Sequence, residues 1–366
     1  MKLSHLAAQA LAYSLELTGD CEISSLSADS REHSDQGLFF CIKGAHHDAH
    51  LYAEHAIRNG AVALVVTRLL PHLQVPQLLV SDDRAAMALM ARAFYGFADR
   101  QLKLIGITGT KGKTTTSYLV KAILEASGYT VGLIGTTGNM IGQQWMNSTL
   151  TTPDPIELHK TLRQMADARC DIVVMEVSAH ALFMRRLEGL VFEAGCFTNL
   201  SQDHLDFFKD MENYYLAKRA FFLNGMVRNA VISLDDPWAF RLSQELAVPK
   251  ISYAICTNAD LFARDIQIEE GGVAFQLSLW NDKYFPVKLS LMGMFNIYNA
   301  IAAAGIGLIM GAEPEVICRA LESVTNVPGR AEVLDTHTDY KVVLDYSHSP
   351  DALENILSAI RDFIKG

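Results

Sequence analysis

Apolar positions along the chain follow a small set of rhythms. Nearly continuous apolar runs in the first hundred residues, "GLFFCIKG", "AVALVV" and "QLLVSDD", read as strands. "LYAEHAIRNG", between the first two, has helical spacing and a terminal Gly60, and "RAAMALMARAFYGFADRQ" predicts a helix leading out of this region. The opening "MKLSHLAAQALAYSLELTGD" has a mild apolar stretch broken by Gln9, Ser14 and Glu16. It predicts an amphipathic helix and not a signal peptide. From residue 101 a new series begins. "LKLIGITG", "TVGLIGTTG", "DIVVMEVS", "AGCFTNLS" and "NAVISLDD" are strand-like, and "TTTSYLVKAILEASG", "PIELHKTLRQMADARC" and "MENYYLAKRAFFLN" are helical. Apolar, β-branched strands alternating with helices predict an α/β fold around a doubly wound, mostly parallel sheet. Between residues 260 and 293 the period changes to two, in "VAFQLSLW" and "FPVKLSLMG", which predicts a short antiparallel patch. "NIYNAIAAAGIGLIMG" and "PEVICRALESV" return to helix. "VPGRAEV" pairs Pro328 with Gly329 and reads as a hinge. A hairpin-like "KVVLDYSHS" and a helical "PDALENILSAIRDFIKG" follow it.

Composition narrows the class. A length of 366 residues predicts two or three domains, at about 150 residues each. Half the residues are hydrophobic and 20% charged, enough to bury sizeable cores. The net charge of −10 argues against bulk nucleic-acid binding, which needs a basic surface. An anionic ligand would have to be held by local groups. The cysteines (Cys21, Cys41, Cys170, Cys196, Cys256, Cys318) are scattered without metal-like spacing and read as thiols of a reducing compartment. No run approaches the roughly 18 apolar residues of a membrane span. The expectation is a cytoplasmic protein.

The chemistry concentrates in "KLIGITGTKGKTTTSYLV". A strand, a glycine-rich turn and a helix make an anion site, because the turn's N–H groups and the helix dipole converge on one place. Gly109 and Gly112 let the backbone approach phosphates, Lys113 can reach the outer ones, and the Thr114 hydroxyl can serve Mg²⁺. The tight core is GTKGKT, since Gly106 falls one residue too early for the full GxxxxGK[ST] pattern. Glu176 ends the apolar run of "DIVVMEVSAH", where a parallel strand delivers residues to the ligand edge; the bland reading is a solvated strand end. His204, between Asp203 and Asp206 in "TNLSQDHLDFF", reads on spacing alone equally as a ligand or as structural. Spacing alone makes Lys218 a surface lysine and Thr151–Thr152–Pro153 a helix start.

Taken together, GTKGKTT, "MEVSAHAL", "TNLSQDHLD", "YYLAKRAFF", "GMFNIYNAIAA", "VPGRAEV" and "DYSHSPDAL" resemble the Mur ligases, the ATP-dependent amino-acid-adding enzymes of peptidoglycan synthesis, and occur in that family's order. "ADSREHSDQGLFFCIKGAHHDAH" is similar to the family's uridine-end signature. The resemblance is nearest to members that add the third residue of the peptide. It implies a three-domain architecture: a uridine-nucleotide-binding α/β domain at 1–100, a central ATP-binding domain at 101–328, and the start of a Rossmann-like, amino-acid-binding domain at 329–366. It implies ATP and Mg²⁺ as cofactors, UDP-N-acetylmuramoyl-L-alanyl-D-glutamate and a diamino acid (L-lysine or meso-diaminopimelate) as substrates, and a monomer with no nucleic-acid or membrane partner.

By the same resemblance Ser30 and the turn of Ala45, His46 and His47 contact uracil and ribose. Thr151, Thr152, Ser178 and Arg186 hold the diphosphate and muramyl-peptide portion. Gly109, Thr110, Lys111, Gly112, Lys113, Thr114 and Thr115 hold the ATP phosphates, Asn296 and Asn299 face adenine, and Arg330 and Asp345 take the rest of ATP. Thr114, Glu176, His204 and Lys218, the last as a carbamate, ligate metal; Lys113, Glu176, His204 and Lys218 form the catalytic set. Met184 stands where the family commonly has Gln, and Lys111 where many members have Asn. Alternatives are another Mur-type or folylpolyglutamate-type carboxylate–amine ligase, or a non-catalytic nucleotide-binding paralogue or fragment. Residues 329–366 are too few to bury a core of their own. The expectation is therefore that the chain as it stands binds the muramyl nucleotide without completing ligation, with this segment its most mobile part.

Overall fold

The computed structural model describes all residues except 45–46, 147, 224, 270, 281–282, 335, 338–339, 349 and 364–366. The chain forms two compact units: residues 1–101 with 153–167 and 183–190, and residues 102–152 with 168–182 and 191–366.

The first unit opens with α1 (Leu3–Gln9), β1 (Ser14–Leu17), β2 (Ser25–Ser27), β3 (Gly37–Phe40), α2 (Ala53–Arg58), β4 (Ala61–Val66), β5 (Gln77–Val80) and α3 (Asp83–Phe94). Its sheet runs β1-β5-β4-β3-β2, parallel except for β1 against β5. The two-residue period sorts the central strands. Leu38, Phe40, Ala63 and Val65 pack on one face with α1 and α3, and Phe39, Leu64 and Val66 on the other with α2. The apolar continuity of "GLFF" and "AVALVV" thus comes from cover on both faces. The helix expected over the opening residues ends at Gln9. Ser14 caps it from outside, its Oγ bonding the Ala10 carbonyl (3.0 Å), and β1 then pairs with β5 as an edge strand.

The remaining elements are β6 (Lys103–Thr108), α4 (Lys113–Ala126), β7 (Val131–Gly135), β8 (Gly138–Ile141), β9 (Gln144–Met146), α5 (Pro155–Asp167), β10 (Ile172–Glu176), α6 (Ala179–Phe183), β11 (Ala194–Phe197), α7 (Leu205–Phe208) and α8 (Met211–Leu223). They continue through β12 (Ala230–Ser233), α9 (Pro237–Glu245), β13 (Lys250–Ala254), β14 (Leu261–Glu269), β15 (Gly272–Leu279), β16 (Lys283–Leu289), α10 (Met294–Ile309) and α11 (Pro314–Ser323) to β17 (Glu332–Leu334), β18 (Val342–Leu344) and α12 (Pro350–Phe363). Eleven strands form the large sheet of the second unit, in the order β16-β15-β14-β13-β12-β11-β6-β10-β7-β8-β9. The strands from β7 to β14 in this order are parallel. The antiparallel patch expected near 260–293 is the β14–β16 meander at one end of this sheet, and a β8–β9 hairpin extends the other end. On one face α4, α10 and α11 cover Ile105, Ile107, Val174 and Cys196. From β6 the chain passes through α4 to β7 on one side, returns to β10 between them, and then crosses to β11 on the other side of β6. The crevice at the carboxyl end of β6 is therefore the switch point where such sheets bind ligands.

α5, which the element order places in the βα series, packs on α3 within the first unit, with Ile156 against that unit's core. This puts His159 beside the Arg92–Asp99 ion pair (2.7 Å) with 1% of its surface exposed and Nε2 without a hydrogen-bond partner among the described residues. Burial pushes the imidazole down to about 4, against the weaker pull of Asp99. The unfolded chain therefore binds a proton between pH 6.5 and 4 that the folded chain does not, and stability falls as pH drops through that window. In urea unfolding the gap between wild type and His159→Leu should widen by about 3 kcal/mol between pH 7 and pH 4, in favour of the variant. A gap independent of pH contradicts this.

Candidate nucleotide and cation site

β6 runs into Gly109–Gly112, and α4 starts at Lys113. Gly112, the N-cap, has φ +83°, and a Cβ there would overlap Asn299 Oδ1 of α10. The turn is fixed from outside by the segment after β11. The Thr110 N–H donates to the Asn199 carbonyl (2.9 Å), and the Lys111 N–H donates to Asn199 Oδ1 (3.0 Å). The Lys111 carbonyl accepts from Thr198 Oγ1 (2.7 Å) and Asn199 Nδ2 (3.1 Å). Thr110 Oγ1 accepts the Ser201 N–H (3.1 Å) and lies 3.3 Å from the Tyr214 hydroxyl. Lys113 folds back, its Nζ donating to the Gly109 and Thr110 carbonyls (2.9 Å each). Burial pushes its pKa down, and Glu176 pulls it back up. Lys111 is likewise lowered by burial, with Asp203 opposing. Thr115 is buried on the first turn of α4.

The β10–β6 register sets Glu176 level with Ile107, beside the loop, with 1% exposure. Its Oε2 accepts from Thr114 Oγ1 and from Thr136 Oγ1 (3.0 Å each), and its Oε1 accepts the Thr136 N–H (2.9 Å). Gly135 has no room for a side chain, since a Cβ would strike Glu176 Oε1. Arg330 Nη2 donates to Thr114 Oγ1 (3.1 Å), and its guanidinium lies 5.2 Å from the Tyr346 ring centre. Asp345 braces this segment by accepting the Ala331 N–H (2.7 Å) and the Ser347 N–H (2.8 Å).

Lys218 on α8 is 1% exposed. Its Nζ donates to the Gly109 carbonyl (2.8 Å) and lies 4.8 Å from the Tyr214 ring centre. Burial first, and the nearby Lys113 charge second, push its pKa well below the ordinary lysine value. His204 has φ +54°, packs edge-on against His180 (4.8 Å between centroids) and lies 6.0 Å from the Tyr214 ring. Burial lowers its pKa too, with Asp203 opposing. Among the described residues no group of three His, Cys, Asp or Glu side chains stands ready to hold an ion. The hard oxygens of Thr114 and Glu176 do fit Mg²⁺, which keeps waters and takes phosphate oxygens as its remaining ligands. An amine at Lys218 does not suit Mg²⁺; a carbamate oxygen would.

Asn296 and Asn299 are buried, 2% and 5% exposed. Asn299 Nδ2 donates to Asn296 Oδ1 (2.9 Å), and Asn299 Oδ1 accepts from Thr116 (3.3 Å), so the pair underpins the loop's far end. Thr152 Oγ1 donates to the Glu176 carbonyl (2.7 Å) and accepts the Ser178 N–H (3.0 Å). The Ser178 hydroxyl accepts the Ala181 N–H (3.2 Å). Thr151 Oγ1 is 3.0 Å from Thr136 Oγ1. In the first unit Arg186 pairs with Asp154 (3.0 Å), the Ser30 carbonyl accepts from Asn59 Nδ2 (2.8 Å), and the His47 carbonyl accepts the Gly44 N–H (2.8 Å). Ala45 and His46 lie outside the described residues. Four supporting residues were not singled out from sequence: Thr136, Thr198, Asn199 and Tyr214. The position of Asn199, two residues past the end of the strand beside β6, was the available signal.

A glycine loop between a buried strand and helix, with an acid on the neighbouring strand, defines a phosphate-loop α/β enzyme. The profile of the Mur ligase middle domain matches residues 107–307, and the chain belongs to the Mur ligase family. It is 43% identical over 350 residues to UDP-N-acetylmuramoyl-L-alanyl-D-glutamate--2,6-diaminopimelate ligase 1 of Clostridium acetobutylicum, covering 94% of this chain and 72% of the relative. The Clostridium botulinum ligase of the same name, without the numeral, is 40% identical over 368 residues, 99% of this chain and 76% of its own. A solved structure of a UDP-N-acetylmuramoyl-L-alanyl-D-glutamate--2,6-diaminopimelate ligase aligns with TM-score 0.82 at 28% identity, over 94% of this chain and 71% of that one. Among the described residues no helix is long and apolar enough to cross a membrane.

Proposed function

We propose that the site serves ATP-dependent ligation of a diamino acid to UDP-N-acetylmuramoyl-L-alanyl-D-glutamate, with 2,6-diaminopimelate as the amine, in line with the relatives' names. The observation that carries the nucleotide part is the 3.0 Å contact of Thr114 with Glu176 at the mouth of the loop. Together they would hold Mg²⁺, which would neutralise phosphate charge. Lys113 leaves the carbonyls of Gly109 and Thr110 for the outer phosphates, and the N–H groups of the loop and of α4's first turn take the inner ones. Arg330 is within reach of the same phosphates from Thr114.

A carboxylate oxygen of the D-glutamate side chain attacks the γ-phosphorus, and ADP leaves. The amine then attacks the acyl carbon, loses a proton, and inorganic phosphate departs. No protein nucleophile is needed. The protein's part is charge neutralisation and alignment. Thr151, Thr152 and Ser178 contact the muramyl-peptide portion, Ser30 and His47 the uridine end, and Lys218 carries a carbamate beside His204. Calorimetry with UDP-N-acetylmuramoyl-L-alanyl-D-glutamate, in the presence of Mg²⁺ and AMP-PNP, should show saturable 1:1 binding, and a folate should show none. Binding of the folate, or no binding of the muramyl nucleotide, overturns the assignment.

A further inference from the structure

Glu176 Oε2 joins two hydroxyl contacts. On one side Thr114 Oγ1 stands 3.0 Å from Oε2 and accepts from Arg330 Nη2 (3.1 Å). On the other, Thr136 Oγ1 stands 3.0 Å from the same oxygen and 3.0 Å from Thr151 Oγ1. A carboxylate has no proton to give, and a threonine hydroxyl has one. Thr136 therefore gives its proton to Glu176, and its contact with Thr151 is a hydrogen bond only if Thr151 donates. With no cation present, the Thr151 proton is held inward, and its hydroxyl offers a ligand only lone pairs.

We propose that Thr136 is a positioning residue that makes the hydrogen-bonding character of Thr151 depend on whether a cation sits on Glu176. A cation competes for the Oε2 lone pairs that hold the Thr136 proton. With that acceptor taken, the Thr136 hydroxyl turns to its other neighbour, Thr151 Oγ1. Thr151 then accepts from Thr136, and its own proton is free to point outward. An anionic oxygen is repelled by a lone pair and bound by a donor. Two hydroxyl rotations, with no backbone movement, thus raise the affinity for the anionic second substrate when Mg²⁺·nucleotide is in place. Thr136 is exposed and Thr151 half-buried, so a ligand can reach this end of the relay. The backbone bond from the Thr136 N–H to Glu176 Oε1 (2.9 Å) keeps the carboxylate in place while the hydroxyls turn. The inference rests on the reading of Thr151 as a substrate contact.

The test is a binding cycle on the full chain. The dissociation constant of UDP-N-acetylmuramoyl-L-alanyl-D-glutamate is measured by calorimetry with and without Mg²⁺·AMP-PNP. Wild type should gain about 5- to 10-fold in affinity when the nucleotide complex is present, the lower end of ordinary coupling. Thr136→Val keeps the shape and the N–H but has no hydroxyl, and its gain should fall to near unity whatever its affinity for each ligand alone. Thr136→Ser should restore the gain, which a packing defect would not explain. Thr136→Ala reads the same ratio should the valine variant fail to fold. A hydroxyl-free variant with the wild-type ratio overturns the relay, as does a wild type that binds both ligands without coupling. A wild type that binds no muramyl nucleotide overturns the functional reading beneath it, and the relay falls with it.

Discussion

Lys113→Ala is expected to weaken ATP binding by roughly 10- to 150-fold, about 1.5–3 kcal/mol, the usual worth of a hydrogen bond to a charged group. The ammonium is confined by burial and, among the described residues, is satisfied by the Gly109 and Thr110 carbonyls. Phosphate oxygens offer it a full counter-charge, and those contacts exist only in the complex. The loop itself does not depend on Nζ. Its backbone is held by Thr198 and Asn199 from one side and by Asn299 behind Gly112. The urea midpoint of the variant should therefore stay close to that of wild type. Lys113→Met, which keeps the apolar stem, should lose as much affinity as the alanine variant. Calorimetry with Mg²⁺·ATP decides it, and an unchanged affinity in both variants would remove Lys113 from the phosphate site.

The strand–loop–helix at 103–126 was legible because its signals are local. An apolar run buried on both faces, glycines in the turn and an amphipathic helix leave little else for the segment to be. Glu176 was legible because parallel strands end on the ligand side. The partners that hold these groups were not. Thr136, Thr198 and Tyr214 act through tertiary contacts 40, 87 and 104 positions away along the chain. Nothing in a hydroxyl's local sequence encodes such a partner. α5 illustrates the same limit at the level of elements. Its apolar stripe says that one face is buried, and whether β10 or α3 covers that face is decided by packing. The β8–β9 hairpin escaped because "GNMIGQQWM" is short and interrupted by glycine. Lys218 shows the reverse case. Helical spacing made it a surface residue, the family resemblance made it a metal-site residue, and it is 1% exposed beneath the loop.

That burial sets up the largest expected chemical change in the site. A lysine whose pKa lies well below its ordinary value holds much more neutral amine than a surface lysine at the same pH, and only the neutral form attacks CO₂. The nitrogen lone pair bonds to carbon, one C=O electron pair moves to oxygen, and the nitrogen releases a proton. The product is an anionic carbamate. It exchanges a desolvated cation next to Lys113 for an anion with a cationic neighbour, and it supplies a hard oxygen of the kind Mg²⁺ takes. Wild type equilibrated with ¹³C-bicarbonate should give a single slowly exchanging carbamate resonance, strengthened by Mg²⁺ and by rising pH and abolished in Lys218→Ala. Bicarbonate should also tighten Mg²⁺·nucleotide binding to wild type, by about 5-fold or more, and leave Lys218→Ala unaffected. A resonance that survives in Lys218→Ala places the carbamate elsewhere. Its absence from wild type at saturating bicarbonate and Mg²⁺ leaves Lys218 as a buried amine that braces Gly109 and removes it from the cation site.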